Sequence, residues 1–150
     1  MEIERKFLVK ELPQDLDNYP NSRIKQWYIT TKPAVRLRER DGVYTFTVKS
    51  KGHMVRQEFE MELTQEEFAN LFTKVSTHAI DKVRYIIDLP NGLKAELDVF
   101  MGKHEGLHLV EVEFDTEEAA LAFTPPAWFG EDVTQEAQYK NNQLALSIRN

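Results

Sequence analysis

The stretch Met1-Glu2-Ile3-Glu4-Arg5-Lys6-Phe7-Leu8-Val9 decides how the rest of the chain is read. Side chains alternate between the two faces of a strand. Glu2, Glu4 and Lys6 therefore share one face, while Ile3, Phe7 and Val9 share the other. A row of two carboxylates and an ammonium is either a solvated surface or one wall of an ion-binding site. The remaining segments have to decide between these.

The alternation repeats along the chain. Arg23 to Thr30 reads as a strand carrying Trp27, Tyr28 and Ile29. Val35 to Arg40 puts Arg36, Arg38 and Arg40 opposite Val35 and Leu37. Asp41-Gly42 is a hairpin signal, and Val43 to Lys49 follows, with Thr45, Thr47 and Lys49 opposite Tyr44, Phe46 and Val48. Met54 to Leu63 sets Arg56, Glu58, Glu60 and Glu62 against Val55, Phe59, Met61 and Leu63. Ile80 to Leu89 sets Lys82, Arg84 and Asp88 against Val83, Tyr85, Ile87 and Leu89. After a second hairpin signal at Asn91-Gly92, the return strand carries Lys94, Glu96 and Asp98 opposite Ala95, Leu97 and Val99. Leu107 to Asp115 puts Glu111 and Glu113 opposite Val110, Val112 and Phe114.

Helices interrupt this pattern. Thr64-Gln65-Glu66-Glu67 is a capping box, followed by a stripe of Phe68, Leu71, Phe72 and Val75. Thr116 caps a second helix carrying Leu121 and Phe123, which Pro125-Pro126 ends. Gln135 to Ile148 reads as a last short helix, and Glu11 to Tyr19 as a turn or short helical excursion. No linker or long repeat divides residues 1–150, so one domain is expected.

Composition narrows the function. With 41% hydrophobic and 29% charged residues the chain is globular and charge-rich. It has no cysteine, which excludes a disulfide framework, a zinc-thiolate site and a thiol nucleophile. A net charge of -6 argues against a non-specific nucleic-acid binder. No apolar run approaches membrane-spanning length, and no basic segment precedes a short apolar one, so the expected compartment is the cytoplasm. His53, His78, His104 and His108 sit at no metal-ligand spacing and read as surface or structural.

Two features turn the charged faces inward. The signs are sorted by strand: acidic groups concentrate at the N-terminus and in the last two strands, basic groups in the arginine strand and the strands of Lys49 and Lys82. The amphipathic helices also need apolar surface to cover. A small barrel with apolar residues inside is already filled and leaves them nowhere to dock. A charged interior is costly unless its charges are paired, solvated or bound to ligand. A polyanion accompanied by divalent cations would balance it.

These residues also resemble a known family. Glu2-x-Glu4-x-Lys6 is similar to the ExExK signature of the CYTH superfamily, the triphosphate tunnel metalloenzymes. Arg36-Leu-Arg38 resembles the family's RxR strand and Thr47-Val-Lys49 its TxK strand. Arg56-Gln-Glu58-Phe-Glu60, Lys82-Val-Arg84-Tyr85, Glu96-Leu-Asp98 and Glu111-Val-Glu113 follow in the expected order. The resemblance implies an eight-stranded antiparallel closed β-barrel with a charged interior and helices packed outside. Among its RNA, thiamine and inorganic triphosphatases and its adenylate cyclases, the chain most resembles the short bacterial inorganic triphosphatases. It looks too short for the appended domain of some larger members.

The expected activity is divalent-metal-dependent hydrolysis of tripolyphosphate to pyrophosphate and phosphate. Hard oxygen ligands suit Mg²⁺ or Mn²⁺. Glu2, Glu4 and Glu113 are expected as metal ligands, with Glu111 and Asp98 next; Glu111 is as readily an outer, structural carboxylate. Resemblance implies one ion on the phosphate oxygens and a second activating water, which makes Glu4, Glu111 and Glu113 catalytic candidates. Arg36, Arg38, Arg56 and Arg84 suit bidentate phosphate recognition, with Lys6, Lys49 and Lys82 as point charges. The alternative for some of these cations is pairing with Glu58, Glu60 and Glu96. Lys82 or Lys6 would protonate or stabilise the leaving phosphate, and Arg40 sits at the rim. Lys140 closes one tunnel mouth by analogy, or is a solvated lysine. Competing readings are an organic triphosphatase, an adenylate cyclase, and a polyphosphate-binding module without turnover. The expected partner is a small polyanion, with no nucleic acid or membrane; the oligomeric state is not set by the sequence.

Overall fold

The computed structural model describes residues 1–146. In chain order its strands are β1 (Glu2–Val9), β2 (Asn21–Thr31), β3 (Ala34–Arg40), β4 (Val43–Lys49), β5 (Val55–Arg56) and β6 (Glu58–Leu63), then β7 (Ile80–Asp88), β8 (Lys94–Met101), β9 (His108–Glu113) and β10 (Phe129–Asp132). The helices are α1 (Gln65–Phe72), α2 (Glu117–Ala122) and α3 (Asn141–Leu144). The ladder runs β10-β1-β9-β8-β7-β2-β3-β4-β6, and β5 joins β1 to bring the sheet round into a nearly closed barrel.

The expected antiparallel barrel is present, with ten strands rather than eight. One extra strand comes from Met54 to Leu63, which breaks at Gln57. From Glu58 onward the segment pairs with β4. Gln57 closes that ladder by exchanging backbone and side-chain hydrogen bonds with Ser50. Val55–Arg56 then leave β4 to pair with Glu2 and Ile3 of β1, and the Glu4 N–H donates to the Met54 carbonyl at 3.0 Å. The other extra strand is β10, too short to show alternation, which pairs with the far end of β1.

The apolar faces point outward and are covered. Ile3 and Phe7 of β1, Ile87, Ala95, Leu97, Val110 and Val112 form a core with Phe114, Ala120 and Phe129. Arg5, on this outer side, donates to the Ala120 and Phe123 carbonyls at the end of α2 and pairs with Asp132 at 2.8 Å. A cation suits the orphan carbonyls of a helix C-terminus. Over β2 and β4, α1 lays Phe68 against Trp27 and Tyr44, with ring centroids 5.8 and 4.4 Å apart. The predicted capping box is formed, but α1 ends at Phe72, so Val75 lies beyond it.

The segment from Gln135 to Ile148 is not one helix. It is a 3₁₀ turn at Ala137–Tyr139 followed by α3; Ile148 lies outside the described residues. Leu144 and Ala145 pack with Tyr28, Ile80, Phe100, Leu109 and Val133. By register, Tyr28 faces the same side as Arg36 and Phe100 the same side as Lys82. Part of the barrel's interior is thus apolar, and the C-terminal segment fills it.

Thr64→Ala removes the α1 cap, whose hydroxyl accepts from the Glu67 N–H at 3.1 Å. Denaturant unfolding is expected to show a loss of about 1 kcal/mol. Because α1 covers the outside of the wall, the side chains on the inner face should be undisturbed.

Candidate active site

Inner-face side chains surround a cavity of about 230 Å³. Of the residues expected at the site, Glu2, Glu4, Lys6, Arg36, Arg38, Lys49, Arg56, Lys82, Arg84, Glu111 and Lys140 line it. Asp98 and Glu113 are not among its lining residues, and neither is any of the four histidines. Arg40, Glu58, Glu60 and Glu96 join the lining.

The acidic wall is made by β1 and β9, whose register sets Glu4 opposite Glu113 and Lys6 opposite Glu111. Arg56 reaches across from β5, its Nη2 lying 3.3 Å from Glu2 Oε1 and 3.0 Å from Glu4 Oε1. Lys49 Nζ stands 3.1 Å from Glu2, and Lys6 Nζ 3.7 Å from Glu111. The carboxyls of Glu4 and Glu111 interact, and their titrations move in opposite directions. Burial, the charge of Glu111 and the hydrogen bond to it raise the Glu4 carboxyl well above its usual range. Burial pushes Glu111 up as well, but Lys6, the bond with Glu4 and the cations Arg84 and Lys82 hold it well below. Glu113 is largely exposed, and its carboxyl is raised by its partial burial, then by Glu2, Glu96 and Glu58. It sits at the acidic rim.

This wall fits a hard cation. Among the described residues no three carboxylates or imidazoles already converge on one point. Mg²⁺ suits such a site, because it keeps several waters and binds through one or two carboxylates plus phosphate oxygens. A divalent charge beside Glu4 would also offset the repulsion from Glu111 and Glu2 that raises its carboxyl.

The basic wall is graded in how far its groups are engaged. Arg84 is fully committed: Nε and Nη2 donate to the two oxygens of Asp98 at 2.8 and 2.9 Å, and Nη1 to Glu96 at 2.9 Å. Lys82 Nζ lies 2.7 Å from Asp98 Oδ2 and donates to Asn141 Oδ1 at 2.9 Å. Alternation and charge suggest a metal-ligand role for Asp98, but the structure places it behind these cations. It is 1% exposed and both its oxygens are taken. Its carboxyl is raised by burial, yet Arg84 and Lys82 bring it to about 2.

Other cations are less committed. Arg36 donates from Nη2 to Thr47 at 3.1 Å, and its buried Nε has no hydrogen-bond partner. An unmatched buried donor costs about 1–3 kcal/mol, and an anion in the cavity would relieve it. Arg38 gives Nε and Nη2 to the Gln26 side-chain oxygen at 3.1 and 2.9 Å. Burial, then Arg36 and Arg84, lower its guanidinium to about 9. Lys140 Nζ donates to the Gly52 carbonyl at 2.6 Å, tying the C-terminal segment to the β4–β5 loop. Neither Gln26 nor Asn141 stands out in the sequence, because each is uncharged; the only signal for Gln26 is its alternation with Tyr28.

The CYTH domain family model matches residues 1–145. An inorganic triphosphatase of Nitrosomonas europaea is 46% identical over 151 residues, covering 98% of each chain. An inorganic triphosphatase of Acetivibrio thermocellus is 30% identical over 146 residues, covering 95% of this chain and 92% of the relative. A crystal structure of an inorganic triphosphatase superposes with a TM-score of 0.74 at 42% identity, over 100% of this chain and 97% of that one. A structure from Hippeastrum, at 15% identity and a TM-score of 0.57, covers 81% of this chain and 83% of that one, and shares the fold.

Burial lowers the Lys82 ammonium to about 7, with Arg84 and Arg38 adding to the fall against the pull of Asp98. In the free protein Lys82 therefore sheds its proton above pH 7. A polyanion nearby favours the charged form, so tripolyphosphate binding should take up protons above pH 7 and weaken as pH rises further. Calorimetry at pH 8 with EDTA, in buffers of different ionisation heat, reads this uptake. Lys82→Arg should reduce it.

Proposed function

Because the chain belongs to the CYTH domain family, we propose that it hydrolyses inorganic triphosphate to pyrophosphate and phosphate in this cavity, with Mg²⁺ or Mn²⁺. The observation that carries this is a nearly closed barrel whose acidic wall of Glu2, Glu4 and Glu111 faces a basic wall of Arg36, Arg38, Lys82 and Arg84. An anion binder without turnover gains nothing from carboxylates facing its ligand. The two curated relatives at 46% and 30% identity are both inorganic triphosphatases.

Glu2, Glu4 and Glu111, with Glu113 at the rim, would hold the ions, which when bound cancel phosphate charge and lower the pKa of bound water. Arg36 and Arg38 bind and orient the phosphates; Arg56 and Lys49 are available to them once Glu2 and Glu4 are drawn away. Arg84 supplies fixed positive charge at the cavity wall. Lys82, titrating at about 7, suits proton transfer at Nζ in the neutral range. Asp98 anchors Lys82 and Arg84.

Among the described residues Tyr28 is the one aromatic lining the cavity, so none of them forms a platform for a purine or thiazole beside the phosphate site. This favours the inorganic substrate over a nucleotide or thiamine triphosphate, and over cyclase chemistry. Among the described residues no helix is long and apolar enough to cross a membrane, and the proposed setting is the cytoplasm.

Phosphate release should be high for tripolyphosphate with Mg²⁺ or Mn²⁺, low for ATP and thiamine triphosphate, and absent with EDTA. Glu4→Gln should lose at least about a hundredfold in kcat while unfolding cooperatively. No release from any of the three substrates with either metal overturns the hydrolase reading. Arg38→Ala removes charge-assisted bonds of about 1.5–3 kcal/mol, so KM for tripolyphosphate should rise about 10- to 100-fold. An unchanged KM would remove Arg38 from the phosphate site.

A further inference from the structure

Gln26 is wholly buried on the inner face of β2, at 0% exposure. Its side-chain oxygen accepts both Nε and Nη2 of Arg38. Its Nε2 donates to Asn141 Oδ1 and to the Tyr28 hydroxyl, each at 3.2 Å. Asn141 Oδ1 also accepts from Lys82 Nζ at 2.9 Å. The orientation of both amides follows from chemistry. Arg38 has only donors to offer, so Gln26 must present oxygen to it and nitrogen to Asn141. Lys82, if protonated, is likewise a donor only, so Asn141 must present oxygen. The two amides form a relay with a guanidinium at one end and an amine at the other.

The neutrality of this relay is what matters. Arg84, Arg56, Lys49 and Lys6 each pair with a carboxylate. Among the described residues Arg38 makes no ion pair, and its fork is gripped by an amide instead. A carboxylate in that place would hold the fork equally well but cancel its charge. An apolar residue would keep the charge and lose the grip. An amide fixes the guanidinium and leaves its charge and its remaining N–H groups for an anion.

We propose that Gln26 is a positioning residue: with Asn141 behind it, it aims Arg38 at the phosphate chain without neutralising it. The proposal rests on the triphosphate reading above. The α3 segment thereby contributes to substrate recognition through Asn141.

The test separates charge from shape. Gln26→Glu is nearly isosteric; it should fold, keep a melting temperature close to wild type, and weaken tripolyphosphate binding, measured by calorimetry in EDTA, by about tenfold or more. Gln26→Leu should raise KM about tenfold, with kcat within about threefold. In an Arg38→Ala background Gln26→Leu should have no further effect on KM, because the residue acts through Arg38. Wild-type affinity in Gln26→Glu overturns the proposal, as does an undiminished Gln26→Leu effect in the Arg38→Ala background. If Gln26→Leu does not fold, Gln26→Glu decides alone. Wild-type protein that binds tripolyphosphate but releases no phosphate overturns the hydrolase reading and leaves the calorimetric result on Gln26 standing; absence of binding both in EDTA and with Mg²⁺ overturns both.

Discussion

The structure depends on the three-way bond between Asp98, Arg84 and Lys82. Ions withdrawn from water cost several kcal/mol each, and their attraction offsets this only when geometry and hydrogen bonding are both good. Here the carboxylate receives two guanidinium N–H groups and lies 2.7 Å from an amine. With that cluster satisfied, a barrel can keep polar groups inside and send its apolar side chains outward. The outward faces must then be covered. α1 lies over Trp27 and Tyr44, and α2 with β10 covers Phe7 and its neighbours. The helices are thus a consequence of the charged interior.

Within the cavity the cations differ in availability, and this gives the site its logic. Arg84 is spoken for by Asp98 and Glu96 and contributes field rather than contacts. Arg56 and Lys49 are held by Glu2 and Glu4, and are freed only if another positive charge takes those carboxylates. Arg36 has a spare donor, and Arg38 has neutral support. Metal dependence is built into this arrangement. An anion arriving alone meets Glu2, Glu4 and Glu111; an anion arriving with divalent cations allows both walls to exchange partners.

Much of this was legible in the sequence because period-two alternation of formal charge is a strong signal. It placed Glu2, Glu4, Lys6, Arg36, Arg38, Lys49, Lys82, Arg84 and Glu111 on inner faces. It failed where alternation carries no information about partners. The break at Gln57 comes from a local exchange of hydrogen bonds with Ser50, and β10 has only four residues. Alternation also cannot tell a carboxylate facing the cavity from one turned behind two cations, as with Asp98. Gln26 and Asn141 escaped because amides mark no face by charge; their meaning lies in donor and acceptor direction, which exists only once the strands are assembled. The single short helix expected from Gln135 to Ile148 gave way to a 3₁₀ turn and α3, whose Leu144 is buried among inner-face residues.

The joint that completes the ring is thin. β5 meets β1 through two residue pairs, whereas β7 and β8 share eight. A hoop opens first where it has fewest stitches, and local opening in proteins follows the same rule. At this joint the stitching is supplemented by side chains: Arg56 reaches across it to Glu2 and Glu4, and Lys140 pins the adjoining loop at Gly52. The residues that fasten the hoop are therefore the ones that handle its contents. Breathing of the wall and occupancy of the lumen are two readings of the same few contacts.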